Sequence, residues 1–310
     1  MITTVTLNLA IDKTYYMASF EKNRVNRVNQ MHIEPGGKGI NVAKVLKTLN
    51  IPVTVTGFAG GYNGAFLSES MDLLQIEHEF VHVSGESRIC LNVIDKQKNE
   101  STEILEKGPW INHEQWNQLK KTLDALASKS EYIVLSGSLP QGLTNRSYAE
   151  LVKVIHAQGA KAVVDTSGAP FKEVLMAEPF LIKPNQEELA QIVGVDQISE
   201  DEVVHTLNKW RKFKIPIMIV TLGKDGAIVS ANDKFYRVIP PPINVVNSVG
   251  SGDSFAAGFI AGLYSGNKIK HCLCMAAAAG AANALTKKAG SIALEEFERL
   301  KTSVKVFELS

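Results

Sequence analysis

The segment Asn247-Ser248-Val249-Gly250-Ser251-Gly252-Asp253-Ser254-Phe255-Ala256-Ala257-Gly258 puts a glycine-rich turn and a carboxylate at the start of an Ala-rich helix. The first N–H groups of a helix have no partners within it, and the helix dipole is positive there, so such a start suits an anion. Glycine lets the backbone approach that anion without a β-carbon in the way. Asp253 beside such a hole can take the proton of an attacking hydroxyl, while the backbone of Gly250, Ser251 and Gly252 stabilises charge on a transferring phosphoryl group. Taken alone, the same residues also fit a plain helix cap made by Ser251 or Asp253.

A second glycine-rich turn, Glu34-Pro35-Gly36-Gly37-Lys38-Gly39-Ile40-Asn41-Val42-Ala43, opens another helix. Gly37, Lys38 and Asn41 stand where polar groups meet sugar hydroxyls or a sugar phosphate. The GxxxxGK[ST] spacing of a phosphate-binding P-loop is absent, and so is the GxGxxG fingerprint of a dinucleotide site. Asn8-Leu9-Ala10 occupies the place after the first strand where an oxidoreductase on a doubly wound sheet needs that fingerprint, which argues against that class.

The elements that must carry these turns read as alternating strands and helices. Ile2 to Asn8, Val53 to Ala59, Tyr132 to Leu135, Lys161 to Asp165, Phe180 to Ile182 and Ile215 to Thr221 are short and apolar or β-branched. Helical patterns run over 40–49, 148–158, 253–264 and 269–285. Near-continuous apolar strands separated by helices predict an α/β fold with a mostly parallel central sheet covered on both faces. Two segments break the alternation, 15–34 and 88–105. They predict a small antiparallel sheet projecting from the core, placed to act as a lid over the strand ends.

Bulk composition sets limits. The chain has 310 residues, 45% of them hydrophobic, enough for a sizeable core. A net charge of +1 and the lack of a basic run exclude a nucleic-acid partner as the expectation. The apolar stretch from Met275 to Ala282 is too short to span a bilayer, and no charged-then-apolar leader opens the chain, so a cytoplasmic protein is expected. Cys90, Cys272 and Cys274 have no zinc-ligand spacing and read as small buried hydrophobes.

With both turns in place, the chain resembles the PfkB-type carbohydrate kinases of the ribokinase-like family. The resemblance spans essentially the whole chain. It also rests on Ile133-Val134-Leu135-Ser136-Gly137-Ser138-Leu139-Pro140, Lys183-Pro184-Asn185-Gln186-Glu187-Glu188 and Thr221-Leu222-Gly223-Lys224-Asp225-Gly226, which fall in the family's order. It implies a ribokinase-like three-layer fold, one kinase domain over 1–310, and a β lid from about 12–35 and 87–106. It implies ATP and Mg²⁺ as cofactors; a monovalent cation such as K⁺ is left open.

By the same resemblance Asp253 is the base and Gly250, Ser251 and Gly252 the anion hole. Asn185 and Glu188 organise Mg²⁺ through water, with Asp165 in the same network. Lys183 lies near the transferred phosphate, Thr221, Gly223 and Gly226 form the nucleotide turn, and Asn283 marks the adenine end. Asp12, Gly37, Lys38 and Asn41 hold the sugar, Arg88 its phosphate, with Ser138 and Arg27 as further contacts.

Gly-Gly-Lys-Gly-Ile-Asn, Ser84-Gly85-Glu86-Ser87-Arg88 and the stretch from Thr102 to Pro109 resemble the branch of tagatose-6-phosphate kinases and 1-phosphofructokinases. Pro240-Pro241-Pro242 and Thr6-Leu7-Asn8-Leu9-Ala10 resemble the minor 6-phosphofructokinases instead. The expected partners are therefore a sugar phosphate and ATP, and a homodimer through the lid is a further expectation. A non-catalytic binding relative is the competing reading, and Asp253 with its glycines argues against it.

Overall fold

The computed structural model describes residues 1–309. In chain order the strands are β1 (Ile2–Thr6), β2 (Ala10–Met17), β3 (Gln30–Gly36), β4 (Val53–Gly60), β5 (Glu77–Val83), β6 (Arg88–Asp95), β7 (Glu100–Leu105), β8 (Tyr132–Ser136), β9 (Lys161–Asp165), β10 (Leu181–Ile182), β11 (Ile217–Thr221), β12 (Ala227–Ala231), β13 (Lys234–Ile239) and β14 (Lys305–Leu309). The α-helices are α1 (Lys38–Thr48), α2 (Gly61–Leu73), α3 (His113–Ala127), α4 (Ser147–Ala157), α5 (Ala169–Leu175), α6 (Gln186–Val193), α7 (Glu200–Trp210), α8 (Ser251–Tyr264), α9 (Ile269–Ala284) and α10 (Leu294–Lys301). No described helix is long and apolar enough to cross a membrane.

Ten strands form one sheet in the order β14-β13-β12-β11-β10-β9-β8-β1-β4-β5. The pairs from β11 through β5 are parallel, and the β11–β14 edge is antiparallel. Alternate side chains of each strand point to opposite faces. Tyr132 and Val134 therefore enter one core with α1, α2, α8, α9 and α10, while Ile133 and Leu135 enter a second with α3, α4, α5, α6 and α7. This is the expected three-layer ribokinase-like arrangement.

The antiparallel edge is visible in a local signal. Asn232 and Asp233 between β12 and β13 both have positive φ, 51° and 60°. A two-residue loop of that hand matches the right-handed twist of a hairpin, and Asn and Asp tolerate it best after glycine.

A separate four-stranded sheet, order β3-β2-β6-β7, is formed from residues 10–36 and 88–105. The expectation of an antiparallel sheet holds for its two hairpins and fails at its centre, where β2 and β6 run parallel from Ala10↔Arg88 to Met17↔Asp95. Both strands leave the large sheet from the C-terminal ends of its parallel strands. They start side by side and can only travel outward in the same direction.

Small residues let α8 and α9 approach closely. A β-carbon at Gly258 would stand 2.5 Å from the Met275 carbonyl and 2.8 Å from Ala279 Cβ. This contact fixes the axis of α8, whose N-terminus faces the site. Gly258→Val should therefore destabilise the fold by about 1–3 kcal/mol or more through overpacking, read as a lowered urea midpoint; an unchanged midpoint would show that α8 and α9 can separate freely.

Candidate active site

The N-terminus of α8 opens at the C-terminal ends of the parallel strands, where ligands bind in open α/β sheets. Gly250 precedes the helix with φ 81° and ψ −2°, a left-handed conformation that turns the backbone into the helix and that glycine adopts without strain. Asp253 lies in the first turn and is buried. Asn41 of α1 donates its Nδ2 hydrogen to Asp253 Oδ2 at 2.9 Å. Burial pushes the Asp253 carboxyl up, more than the nearby Lys38 charge pulls it down. A carboxylate raised in this way is a better proton acceptor than a free one.

Next to this turn lies a buried charge cluster. Lys183 is only 3% exposed. Its Nζ is 2.9 Å from Asp165 Oδ2, and Lys38 Nζ is 3.0 Å from Asp165 Oδ1. Lys38 also approaches Glu188 Oε1 at 3.9 Å. Burial alone would raise the Asp165 carboxyl, but the Lys183 and Lys38 charges outweigh it and hold Asp165 below the usual carboxylate range. The Asp165 charge in turn holds the Lys38 proton more firmly than in water. Lys183 faces the α8 turn, 3.6 Å from the place a β-carbon on Gly252 would occupy.

Asn185 and Glu188 form a capping box at the start of α6. Asn185 Oδ1 accepts from the Glu188 N–H, and Glu188 Oε2 accepts from the Asn185 N–H. Glu188 keeps Oε1 toward the cleft, whereas Asn185 has its oxygen engaged. Asp165, expected in the metal network, instead has both oxygens on lysines. Lys38, expected on the sugar, leans toward Asp165 and Glu188 while still lining the cleft.

The opposite wall is the small sheet. Registers Asp12↔Glu34, Asp12↔Cys90 and Asn92↔Glu103 put these side chains on one face, and all of them line a cleft of about 470 Å³ together with Arg88 and Asp253. Gly36 has no side chain beside Asp12; a β-carbon there would collide with the Asp12 carboxyl. Burial raises Asp12 to about 6, with Lys44 and Arg88 pulling the other way. Arg88, the first residue of β6, hydrogen-bonds the carbonyls of Asn8 and Glu106 at 3.3 Å each. Cys90, read as a plain buried hydrophobe, lines this cleft.

A second cleft of about 810 Å³ continues from the first. Asn185, Thr221 and Gly252 line both. Gly223, Gly226, the Pro240–Pro242 run and Phe255 make its outer wall, apolar and of a size for a nucleotide base.

Three expected contacts fall outside the clefts. Asn283 is fully buried; its Nδ2 donates to the Val249 carbonyl and to Ser251 Oγ, and its Oδ1 accepts from the Ser291 N–H. It braces the anion turn from behind rather than facing a base. Ser138 accepts from Asn8 Nδ2. Arg27 is exposed on the loop between β2 and β3, beside Arg24 and Asn29.

Sequence reasoning missed the Asn41–Asp253 contact and the cleft-lining Glu34, Lys288 and Ala289. No local signal in the sequence pairs Asn41 with a residue 212 positions away.

An α/β sandwich with an anion turn, a buried carboxylate beside it and two confluent clefts defines a kinase that transfers phosphate to an alcohol. The pfkB family carbohydrate kinase model matches residues 5–296, and the chain belongs to that family. A tagatose-6-phosphate kinase from Staphylococcus epidermidis is 36% identical, with all of both chains covered. Phosphofructokinase-2 from Escherichia coli, in complex with potassium, superposes with a TM-score of 0.92 at 26% identity over 97% of this chain and 98% of that one. A Thermotoga maritima chain described as a possible 1-phosphofructokinase superposes with a TM-score of 0.86 at 26% identity over the whole of both.

Asp165→Asn would leave Lys183 and Lys38 without their shared counter-charge. Breaking a buried pair from one side costs about 3–5 kcal/mol, so the variant should unfold at a clearly lower urea concentration at neutral pH. Because the Asp165 pKa is depressed on folding, its contribution is present above the ordinary carboxylate range and is lost as pH falls through the folded value. The wild-type and variant stabilities should therefore converge in acid, and a gap independent of pH would contradict the assignment.

Proposed function

We propose that the chain moves the γ-phosphoryl group of ATP to a hydroxyl of a ketohexose phosphate, with tagatose 6-phosphate as the preferred acceptor. The observation that carries this reading is Asp253, buried, held by Asn41 and set in the first turn of a helix whose N-terminus faces the meeting point of the two clefts. Asp253 takes the proton of the acceptor hydroxyl as its oxygen bonds to the γ-phosphorus, and the bond to the leaving ADP oxygen breaks. The backbone N–H groups at Gly250 and Gly252 face the transferring group, the Ser251 N–H being taken by the Ser248 carbonyl, and Lys183 adds positive charge there. Asp12 orients sugar hydroxyls, because an ionised carboxylate accepts several hydrogen bonds. Arg88 takes the sugar's own phosphate in the manner suited to a guanidinium.

The donor set also fits Mg²⁺. Among the described residues no group of three or more His, Cys, Asp or Glu could hold an ion directly. One carboxylate oxygen on Glu188, outside the capping box and shared only with Lys38 at 3.9 Å, matches an ion that keeps most of its water. When bound, Mg²⁺ would neutralise charge developing on the phosphates. The potassium bound by the E. coli phosphofructokinase-2 makes K⁺ dependence the companion measurement.

A second reading, 1-phosphofructokinase or 6-phosphofructokinase, draws on the E. coli and T. maritima relatives. Non-catalytic binding of the same ligands is disfavoured by an Asp253 whose surroundings raise its basicity. The small sheet also leaves Met31, Ile33 and Ile104 exposed on its outer side, which supports pairing of two copies through it, with the sheet serving as a lid on each.

ADP release with Mg²⁺-ATP should be fastest on tagatose 6-phosphate when compared with fructose 6-phosphate, fructose 1-phosphate and the free sugars. Faster turnover on either fructose phosphate would move the assignment to that enzyme. Asp253→Asn should lower kcat by roughly 10²–10⁴-fold while ATP still binds; retained turnover would remove Asp253 as the base.

Asp12 titrates at about 6, so KM for the sugar phosphate should rise as pH falls below that value. A phosphate monoester also titrates near pH 6, so the control is Asp12→Asn, which should bind weakly at all pH and lose Asp12's share of the dependence. An identical pH profile in that variant would assign the whole effect to the substrate.

A further inference from the structure

Lys44 follows Asn41 by three residues on α1, so both side chains leave the same face of the helix. Asn41 holds Asp253. Lys44 reaches a different target: its ammonium donates to the carbonyl of Ala289 and stands 3.6 Å from Glu34 Oε2. The other oxygen of Glu34 is 3.6 Å from Lys288 Nζ. One carboxylate on β3 of the small sheet therefore meets two lysines, one on α1 and one on the segment 286–291 that follows α9.

That segment is anchored on both sides of its apex. Asn247 Nδ2 donates to the Lys287 carbonyl, Thr286 Oγ1 donates to the Lys288 carbonyl, and the Ser291 N–H donates to Asn283 Oδ1. The apex itself lies against the anion turn. A β-carbon at Gly250 would stand 2.8 Å from Gly290 N and 3.0 Å from Ala289 Cβ. A β-carbon at Gly290 would stand 2.6 Å from Asn41 Cα. The turn that faces the phosphoryl group is thus packed on a loop whose apex carbonyl is held by Lys44. An ammonium with only 13% of its side chain exposed is tolerated because a carbonyl and a carboxylate replace its water.

We propose that Lys44 is a positioning residue for phosphoryl transfer, fixing the Ala289–Gly290 apex against the Gly250 turn and, through Glu34, linking the placement of that turn to the small sheet. The proposal rests on the reading of that turn as the anion hole. Its N–H groups count most where charge develops on the transferring group, so a displaced turn weakens the transition state more than it weakens bound ATP, most of whose contacts lie in the second cleft.

The experiment uses the full chain and measures kcat and KM for ATP and sugar phosphate in Lys44→Met, Lys44→Arg and Lys44→Ala beside Asp253→Asn. Lys44→Met should lose roughly 10- to 100-fold in kcat, the scale of a small misplacement near the reacting group, with KM for ATP nearly unchanged. Lys44→Arg should keep most of the wild-type kcat. In Lys44→Ala, added methylammonium should restore kcat, which a purely packing role would not permit. A kcat near wild type in folded Lys44→Met, or a loss in Lys44→Ala that methylammonium leaves untouched, overturns the proposal. If the Met and Ala variants do not fold, Glu34→Gln takes their place and must show the same loss of kcat at steady KM for ATP; an unchanged kcat there overturns it equally. Turnover retained in Asp253→Asn would instead sink the underlying anion-hole reading, whereas an inactive Asp253→Asn with an unaffected Lys44→Met would sink only the role of Lys44.

Discussion

Asp165 carries a full negative charge at the end of β9 with almost no access to water, and the cleft is organised around it. An isolated carboxylate in that position would cost several kcal/mol or take up a proton. Two lysines from distant parts of the chain keep it ionised, and it keeps them aimed into the cleft. The arrangement requires that β9, the start of α1 and the segment after β10 meet at one point. The parallel sheet supplies this, because its strand ends lie in one row. Asp253, a few residues into α8, shares the same surroundings and is pushed in the opposite direction. Two carboxylates in one cleft thus differ in character because one has cations on both oxygens and the other has an amide.

Helix α1 serves as the spine of the site. Lys38 meets the buried carboxylate, Asn41 meets the second one, and Lys44 meets the loop behind the anion turn. Three successive steps along one face of a single helix therefore touch three parts of the cleft. A rigid helix transmits position from one to the next better than a loop would, and its buried apolar side, Ile40, Val42, Val45 and Leu46, locks it to the sheet.

The sequence was legible where chemistry and local structure coincide. The two glycine-rich turns announce themselves because only glycine suits Gly250's left-handed backbone or the space beside Asp12 at Gly36. The β-branched strands of the sheet centre were equally plain. The antiparallel edge β12–β14 was missed although Ile228-Val229 and Phe235-Tyr236 are strand formers, because its only direction signal is the two-residue Asn232-Asp233 turn. The parallel pairing of β2 and β6 could not be read locally, since it follows from where both strands leave the large sheet. Side-chain destinations were the least legible. Nothing near Asn283 in the sequence says that its amide braces Val249, and nothing near Lys38 says that its partner lies 127 residues away.

The small sheet separates two demands by a period of two. Asp12, Glu34, Cys90, Asn92 and Glu103 alternate with Ile11, Ile33, Ile89, Val93 and Ile104 along the same strands. The first set faces the cleft and has little part in either hydrophobic core, while the second faces away from it. Cleft-facing side chains of this sheet that pair with no buried charge can therefore be exchanged with small effect on either hydrophobic core. On the proposed reading, a new acceptor preference is open to this scaffold through single substitutions at alternate positions of the small sheet, without repacking of the large one.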